Sequence, residues 1–261
     1  SIQLLQTQVH KGINKMATRY SPKIVTDNLI LCLDAGSSRS YSGSGSWKDL
    51  SNVNHDGTIT GATFVPHTTA AGAAHFDFDA NDYVGPNTFD YDDSGGQFTV
   101  CAWVNPDDFD PSTGSNSYQA IINRSDSSTH HFSVFIQSTA SGATTGDMAS
   151  WISDTGGSTR QHHADGACVL NLNEWNFCVW RFIDGSGYTY DLFNSEGHVT
   201  KDGSSAYTMR KDSTSQYTIG GWRGGNYHFD GGISLINVYK KRLTNAEVLK
   251  NYEAQKGRYN R

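Results

Sequence analysis

The feature that most constrains the fold is a long succession of short apolar runs separated by turn-forming residues. The 261 residues include 27 glycines but only 5 prolines, and Ser, Thr, Asn and Asp crowd between the apolar runs. Runs of this kind predict β-strands joined by turns. No segment suits a crossover helix, so a parallel βαβ arrangement is excluded. We expect strands near 28–34, 57–65, 73–78, 82–85, 97–105, 118–124, 131–138, 147–153, 160–170, 175–183, 188–195, 198–201, 215–222 and 227–239.

One helix is predicted, and it lies close to the C-terminus. Thr244 is followed three residues later by Glu247, which is the spacing of a capping box. The segment 244–254 therefore predicts a short helix. It follows an alternating strand that contains Ile233 and Leu235.

Charge and hydropathy exclude two classes of partner. The formal net charge is −6, and Lys and Arg are scattered rather than gathered into a basic stripe. This argues against nucleic-acid binding. No apolar run approaches the ~20 residues that span a bilayer, so no membrane partner is expected.

Residues 1–20 differ from the rest of the chain and are predicted to form an extended or helical N-terminal arm. Ile2, Leu5, Val9, Ile13 and Met16 fall near helical spacing, but the length is marginal for an isolated helix. We expect the arm to need a partner or the domain surface, and a frayed tail is the alternative. The remaining residues, 21–261, are predicted to form one domain.

The cysteines suggest a reducing environment. Cys32, Cys101 and Cys178 lie in strand-like apolar runs, and we interpret them as buried thiols. A Cys101–Cys178 bridge across neighbouring strands is the alternative. The first residues lack the pattern of a signal peptide, so synthesis in the cytoplasm is expected, with secretion as the alternative.

Six landmarks in order carry a family resemblance. They are Leu33-Asp-Ala-Gly36 with the Ser-Gly loop after it, Trp47-Lys-Asp-Leu-Ser51, His75–Val84, Phe98–Val104, Trp175–Trp180 and Phe229–Tyr252. The order resembles laminin-G-like, concanavalin A-like lectin domains of the kind found in bacteriophage virion proteins. Ala80 departs from that pattern, where a glycine is usual.

The resemblance implies an all-β fold, a two-sheet antiparallel jelly-roll sandwich with a short C-terminal helix. It also implies a non-enzymatic virion protein, either a capsid decoration or a tail or fibre component. Its expected partners are other virion proteins, reached through the N-terminal arm within an oligomeric assembly, and glycans of the host surface. The alternatives are a secreted carbohydrate-binding module, and a glycoside hydrolase or lyase on the same sandwich.

Aromatic side chains with polar neighbours are candidates for sugar binding, because sugar rings stack on aromatic faces while polar groups orient the hydroxyls. A glycine-rich segment supplies the main group, and two further aromatics are secondary candidates. These residues are Trp222, Arg223, Asn226 and Tyr227, with Trp151 and Tyr118. Trp222 has a second interpretation, as a cap on the edge of the sandwich.

Aspartates near predicted turns are candidates for a structural calcium site, since calcium takes oxygen ligands. They are Asp34, Asp77, Asp79, Asp82 and Asp230. The alternative is that each forms a turn by bonding its own backbone. No cofactor is expected to be required. The histidine doublets at 130–131 and 162–163 do not form a metal chelate by themselves, because adjacent strand residues point to opposite faces. We interpret these histidines as exposed.

The run from Asp77 to Asp82 has the carboxylate spacing of glucanases built on this sandwich, with Asp at every acidic position. Asp is one methylene shorter than Glu, which changes the carboxyl separation that sets the mechanism. Asn81 and Asp82 also favour a turn, which would end the strand before the third carboxylate of the run. We therefore expect no enzymatic activity.

Overall fold

The computed structural model describes residues 23–68, 72–79, 81–87, 96–109, 118–125, 130–138, 146–154, 159–206, 208–209, 216–221 and 227–261. The strands are β1 (Leu29–Asp34), β2 (Ile59–Thr60), β3 (Thr63–Val65), β4 (His75–Phe78), β5 (Tyr83–Asn87), β6 (Gln97–Pro106), β7 (Tyr118–Ser125), β8 (His130–Ser138), β9 (Gly146–Ser153), β10 (Thr159–His163), β11 (Val169–Leu170), β12 (Asn176–Ile183), β13 (Gly187–Asn194), β14 (Gly197–Ser204), β15 (Gln216–Ile219) and β16 (Gly231–Tyr239). Helix α1 (Asn245–Gln255) follows, and a 3-10 turn continues it over Lys256–Arg258.

The strands form two antiparallel sheets. Sheet 1 has the order β14-β13-β12-β6-β16-β4-β3, and β1 also pairs with β16. Sheet 2 has the order β10-β9-β8-β7-β15-β5-β2, and β11 also pairs with β9. The prediction of a two-sheet antiparallel sandwich with one short C-terminal helix is confirmed.

The largest differences between predicted and observed strands are at 57–65, 160–170 and 227–239. The run 57–65 is divided between β2 in sheet 2 and β3 in sheet 1, with Gly61 between them at φ +81°. A glycine adopts this left-handed conformation without steric cost, so the chain can cross from one sheet to the other here. The run 160–170 is likewise divided into β10 and β11, and the last strand begins at Gly231 rather than at 227.

Aromatic side chains fill the space between the sheets and bond across it. The Trp180 indole of sheet 1 donates to the Ala149 carbonyl of sheet 2 at 3.1 Å. The Tyr190 hydroxyl lies 2.6 Å from Ser150 Oγ. Each bond satisfies a buried polar group while the ring removes a large apolar area from water. The two layers are therefore fixed face to face by packing and by hydrogen bonds.

The cysteines are buried and unpaired, as the first interpretation predicted. The Cys101–Cys178 bridge is wrong, because Cys101 is opposite Val179 in the ladder and Cys178 is opposite Ala102. Neighbouring residues on a strand point to opposite faces. Cys178 accordingly lies between the sheets, whereas Cys101 lies on the outer face of sheet 1.

The outer face of sheet 1 is covered by the C-terminal segment. Thr244 Oγ1 accepts from the Glu247 amide, and the Glu247 carboxylate accepts from the Thr244 amide, so the predicted capping box is confirmed. Trp103 stacks on Tyr259 with ring centroids 3.9 Å apart, and its indole donates to Gln255 Oε1.

Neither described helical segment is long and apolar enough to cross a membrane. The predicted N-terminal arm, residues 1–20, lies outside the described residues.

Candidate functional site

Aromatic rings from distant parts of the chain meet on the outer face of sheet 2. The Trp151 ring lies 5.1 Å from that of Tyr118 and 5.2 Å from that of Tyr227, between centroids, and Phe135 lies 4.7 Å from Trp151. The contacts of Trp151 with Tyr227 and Phe135 are edge-to-face, which aromatic quadrupoles favour. We call Tyr118, Phe135, Trp151 and Tyr227 the aromatic cluster. Three of its members are predicted sugar-binding residues, and Phe135 is new.

Strand register explains why the cluster forms. Phe135 is opposite Ala120 on β7 and opposite Ala149 on β9. Directly opposed residues of antiparallel strands share a face of the sheet. The two small alanines leave room above the sheet, and Trp151, two residues after Ala149 on the same face, fills it.

Tyr227 completes the cluster from a loop. Its φ is +62°, a left-handed conformation that is rare for a bulky side chain. The Tyr227 carbonyl accepts from the Ala120 amide at 2.8 Å, and Phe229 N–H donates to the Gly220 carbonyl at 2.9 Å. These bonds hold the ring against Trp151 despite the backbone strain. Burial raises the pKa of Tyr227.

The members of the cluster differ in exposure. Phe135 is 1% exposed and Trp151 is 6% exposed, so they form a floor. Tyr118 and Tyr227 are half-buried and present part of their rings to solvent. A ligand would therefore contact the two tyrosines first, while Trp151 positions them. The other predicted sugar-binding residues, Trp222, Arg223 and Asn226, lie outside the described residues.

Polar side chains that sequence reasoning did not select lie beside Tyr118. Gln137 Nε2 donates to the Tyr118 hydroxyl at 3.3 Å. Asp147, opposite Gln137 in the ladder, accepts from the Gly166 amide through Oδ2 at 2.6 Å, and its Oδ1 has no hydrogen-bond partner. The His163 ring lies 6.5 Å from that of Tyr118, and its Nδ1 is also without a partner. Burial raises the pKa of Asp147.

A sugar hydroxyl both donates and accepts, so it can satisfy a carboxylate oxygen and an imidazole nitrogen together. Buried groups without such a partner cost free energy. His163 was missed because the doublet 162–163 was interpreted as exposed. In the doublet 130–131, the expected exposure is wrong for His131, which is fully buried.

The calcium candidates do not form one group. Asp34 is paired with Arg258, whose Nη1 and Nη2 lie 2.9 and 2.5 Å from its two oxygens. Asp79 and Asp82 form the turn after β4, since the Asp82 amide donates to the Asp79 carbonyl at 2.8 Å and Asp79 N–H donates to Asp82 Oδ2 at 3.1 Å. Asp77 lies within β4, opposite Gly232.

Asp230 lies just before β16 and is the most perturbed of these carboxyls. Burial, followed by repulsion from Asp107 and Asp108, raises the pKa of Asp230 to about 6. Asp77 and Asp79 add to the same effect. Within the described ranges, however, no three His, Cys, Asp or Glu side chains are arranged to hold a metal ion.

The glucanase-like spacing does not place its carboxylates on one strand. β4 ends at Phe78, so Asp79 and Asp82 lie in the turn that precedes β5. The predicted break at Asn81-Asp82 is therefore present. The alternation that would align three catalytic carboxylates on one face stops after Asp77.

A sequence model of the concanavalin A-like lectin/glucanases superfamily, in its laminin-G-like form, matches residues 78–249. The chain belongs to this superfamily. Its match extends from the end of β4 into helix α1 and includes the whole aromatic cluster. No curated protein matches this chain in sequence.

Solved structures share the fold at low identity. The receptor-binding domain of botulinum neurotoxin type G has a TM-score of 0.59 and 12% identity, over 88% of this chain and 52% of that one. The binding domain of botulinum neurotoxin DC in complex with SialylT has a TM-score of 0.58 and 13% identity, over 87% and 52%. The chain thus spans about half the length of these toxin domains.

Domain 4 of AbnA, an extracellular GH43 arabinanase from Geobacillus stearothermophilus, was solved in complex with arabinotriose. It has a TM-score of 0.58 and 13% identity, over 88% of this chain and 100% of that one. At these identities the similarity shows that this chain shares the fold of these domains, and it does not show a shared ligand.

Proposed function

We propose that this domain binds glycans without modifying them, through the half-buried rings of Tyr118 and Tyr227. The observation that carries the proposal is the convergence of three distant segments on one face of sheet 2. They bring Tyr118, Trp151 and Tyr227 together with centroids 5.1 to 6.2 Å apart. A sugar ring can lay its C–H face on such a platform while neighbouring polar groups orient its hydroxyls.

The polar groups next to the platform support the proposal. Gln137 offers an amide, and Asp147 and His163 offer an unpaired acceptor and an unpaired ring nitrogen. Membership of a lectin and glucanase superfamily adds support. Two solved structures with a similar fold add further support, since one was solved with arabinotriose and the other with SialylT.

We propose that the domain does not cleave the glycans that it binds. Asp79 and Asp82 are committed to a turn, so the carboxylate run of β4 supplies no aligned catalytic pair. We expect no release of reducing sugar from polysaccharides that the domain binds. Turnover that is lost in an Asp79→Asn variant would overturn this part of the proposal.

Binding is tested with a glycan array followed by titration calorimetry on the best ligand. Tyr118→Ala should weaken that ligand about tenfold, because truncating an aromatic contact commonly costs more than about 1 kcal/mol. Tyr118→Phe keeps the ring and should retain most of the affinity. Val199→Ala removes an exposed side chain of sheet 1 and serves as the matched control.

Equal affinity in wild type and in the Tyr118→Ala and Tyr227→Ala variants would overturn the proposed platform. Each variant is first checked for cooperative unfolding. A general loss of folding is thereby separated from a loss of the contact surface.

The finer proposal is that the domain belongs to a bacteriophage virion, where it decorates the capsid or forms part of a tail or fibre. It rests on the order of sequence landmarks from Leu33 to Tyr252. In this proposal residues 1–20 join the domain to other virion proteins, and the aromatic cluster faces glycans of the host surface. The domain would then be assembled in the bacterial cytoplasm.

Imaging of intact particles labelled with an antibody to the domain tests the location. Recovery of the protein with particles after density centrifugation supports it. Recovery only as a free protein in the medium would favour the alternative of a secreted carbohydrate-binding module.

A further inference from the structure

The rings of the aromatic cluster stand at large angles to one another. The planes of Tyr118 and Tyr227, the two rings that reach solvent, are inclined by 74° with centroids 6.2 Å apart. Trp151 is inclined by 62° to Tyr118 and by 87° to Tyr227. Phe135 is inclined by 57° to 64° to the other three rings. No two rings of the cluster therefore form one continuous flat face.

The floor of the cluster keeps the tyrosines at these angles. Phe135 and Trp151 are almost completely buried, and both tyrosines pack against them. Close-packed rings can turn only if their neighbours move as well. Bringing Tyr118 and Tyr227 into one plane would break the contacts with Trp151 that aromatic quadrupoles favour.

The backbone of Tyr227 is also fixed, in a conformation that tyrosine rarely adopts. Among the described residues, six other than glycine have a positive φ, and five of these are Asn or Asp, which tolerate the left-handed region. Tyr227, with φ +62°, is the exception. Such a conformation persists where the surrounding structure holds it, and it is common at ligand-binding sites.

One buried side chain, that of Gln119, joins the strand of Tyr118 to the segment that carries Tyr227. Gln119 is 1% exposed and follows Tyr118 on β7. Its Nε2 donates to the Asp108 carbonyl at 2.6 Å, and its Oε1 accepts from the Asp230 amide at 3.2 Å. Because the Tyr227 carbonyl is also bonded to β7, the short segment between Tyr227 and Asp230 is held on this strand at both ends.

We infer that the site holds one sugar unit at a time, at a chain end or branch of a soluble glycan, and does not bind the flat surface of a crystalline polysaccharide. Gln119 is the positioning residue that keeps the two tyrosines at their angle. The inference rests on the proposed glycan-binding function and adds the class of glycan. Because Tyr118 and Tyr227 are inclined by 74°, a flat chain that stacks on one of them cannot also stack on the other.

The polar groups beside Tyr118 support the same mode of binding. Gln137 Nε2 lies 3.3 Å from the Tyr118 hydroxyl, and the His163 ring lies 6.5 Å from the Tyr118 ring. A terminal sugar unit has free hydroxyls around its ring, whereas a unit inside a crystalline sheet bonds them to neighbouring chains. Donors and acceptors at the edge of Tyr118 can bond only hydroxyls that are free.

Chain length tests the inference. The probes are linear oligomers of glucose, arabinose and N-acetylglucosamine with one to four units, together with shortened forms of the best ligand from the glycan array. In titration calorimetry the affinity for a tetramer should exceed that for its monomer by less than about threefold, because the added units find no second ring to stack on. Crystalline cellulose and chitin should retain no more of the wild type than of the Tyr118→Ala variant.

Gln119→Met tests the positioning role. Methionine keeps the length of the side chain and removes both hydrogen bonds, so the affinity for the best soluble probe should fall about fivefold. In a Tyr227→Ala background the same change should have little further effect, because no ring is left to position. Gln97→Met is the matched control, since Gln97 on β6 of sheet 1 likewise accepts from a backbone amide, that of Arg242.

Gln119→Glu keeps the acceptor for the Asp230 amide, and it replaces Gln119→Met if that variant does not unfold cooperatively. An equal loss of affinity with and without the Tyr227 ring would show that Gln119 supports only the fold, and this would overturn its positioning role.

The outcomes separate this inference from the function on which it rests. A larger gain of affinity with chain length, or retention on crystalline cellulose or chitin that Tyr118→Ala abolishes, overturns the single-unit site and leaves glycan binding standing. No binding to any of these probes or to the glycan array overturns both.

Discussion

Arg181 and Asp191 form an ion pair between β12 and β13, with Nη2 and Oδ2 2.7 Å apart and side chains only 4% and 2% exposed. Arg181 also donates through Nη1 to the Leu243 carbonyl and to Asn245 Oδ1. The pair therefore joins sheet 1 to the start of helix α1. A buried charge that loses its partner is strongly unfavourable.

We expect Arg181→Met to lower the free energy of unfolding by about 3–5 kcal/mol, because the buried Asp191 carboxylate would lose its guanidinium and keep only its contacts with His198 and Thr200. Urea unfolding followed by tryptophan fluorescence measures this. The double variant Arg181→Met/Asp191→Leu should recover much of the loss. A single variant as stable as wild type would show that the pair contributes little.

Asp34→Asn should lower the free energy of unfolding by about 1–2 kcal/mol, since Arg258 would lose a two-point, charge-assisted contact. Asp27→Asn is the matched control, because Asp27 is 72% exposed where it pairs with Lys241. Its effect should be much smaller than that of Asp34→Asn, because exposed ion pairs contribute little to stability. Both measurements are repeated with a calcium chelator. A loss at Asp34 that appears only with calcium present would make Asp34 a calcium ligand instead.

Stability should fall as the pH rises through the titration of Asp230. The pKa of this carboxyl is about 6 in the folded protein and roughly 3.9 when unfolded, so the folded state holds more protons between these values. Asp230→Asn removes the repulsion. We expect its Tm to exceed that of wild type at pH 7 and above, and not at pH 4.

Thermal unfolding across that pH range checks the prediction, with Glu196→Gln as a charge-matched control. A constant difference in Tm between Asp230→Asn and wild type at every pH would contradict it.

Trp151 should act as a floor under the tyrosines rather than as a ligand contact. Trp151→Ala should cost about 3–5 kcal/mol of stability, as expected for a large buried ring. Trp151→Phe keeps most of the packing, and we expect it to bind the best glycan nearly as well as wild type. If Trp151→Phe folds normally but binds as poorly as Tyr227→Ala, Trp151 touches the ligand directly.

Features that depend on residues close together in the sequence were predicted well. The capping box of Thr244 and Glu247 uses residues three apart, and its geometry needs no information from elsewhere in the chain. The turn at Asp79 and Asp82 is local in the same sense. The place where 57–65 changes sheets was missed, because a glycine such as Gly61 permits a crossing without requiring one.

Pairing between distant strands was harder to predict. Phe135 shares its face of β8 with His131, Ser133 and Gln137, so alternation places it opposite the core but does not show which rings of other strands meet it. Cys101 and Cys178 were offered as a pair because their strands are neighbours, but a register shift of one residue separates their faces. Asp147 was overlooked for the same reason, since only the ladder from Tyr118 through Gln137 shows where it lies.

Val25 and Tyr259 both pack on the outer face of sheet 1, whereas Tyr118 and Tyr227 lie on the outer face of sheet 2. Anything fused or bound near the two ends of the described domain is thereby held on the side opposite the tyrosines. Copies anchored in this way on a larger body would all turn the aromatic cluster outward, and under the proposed function they could engage several sugars at once.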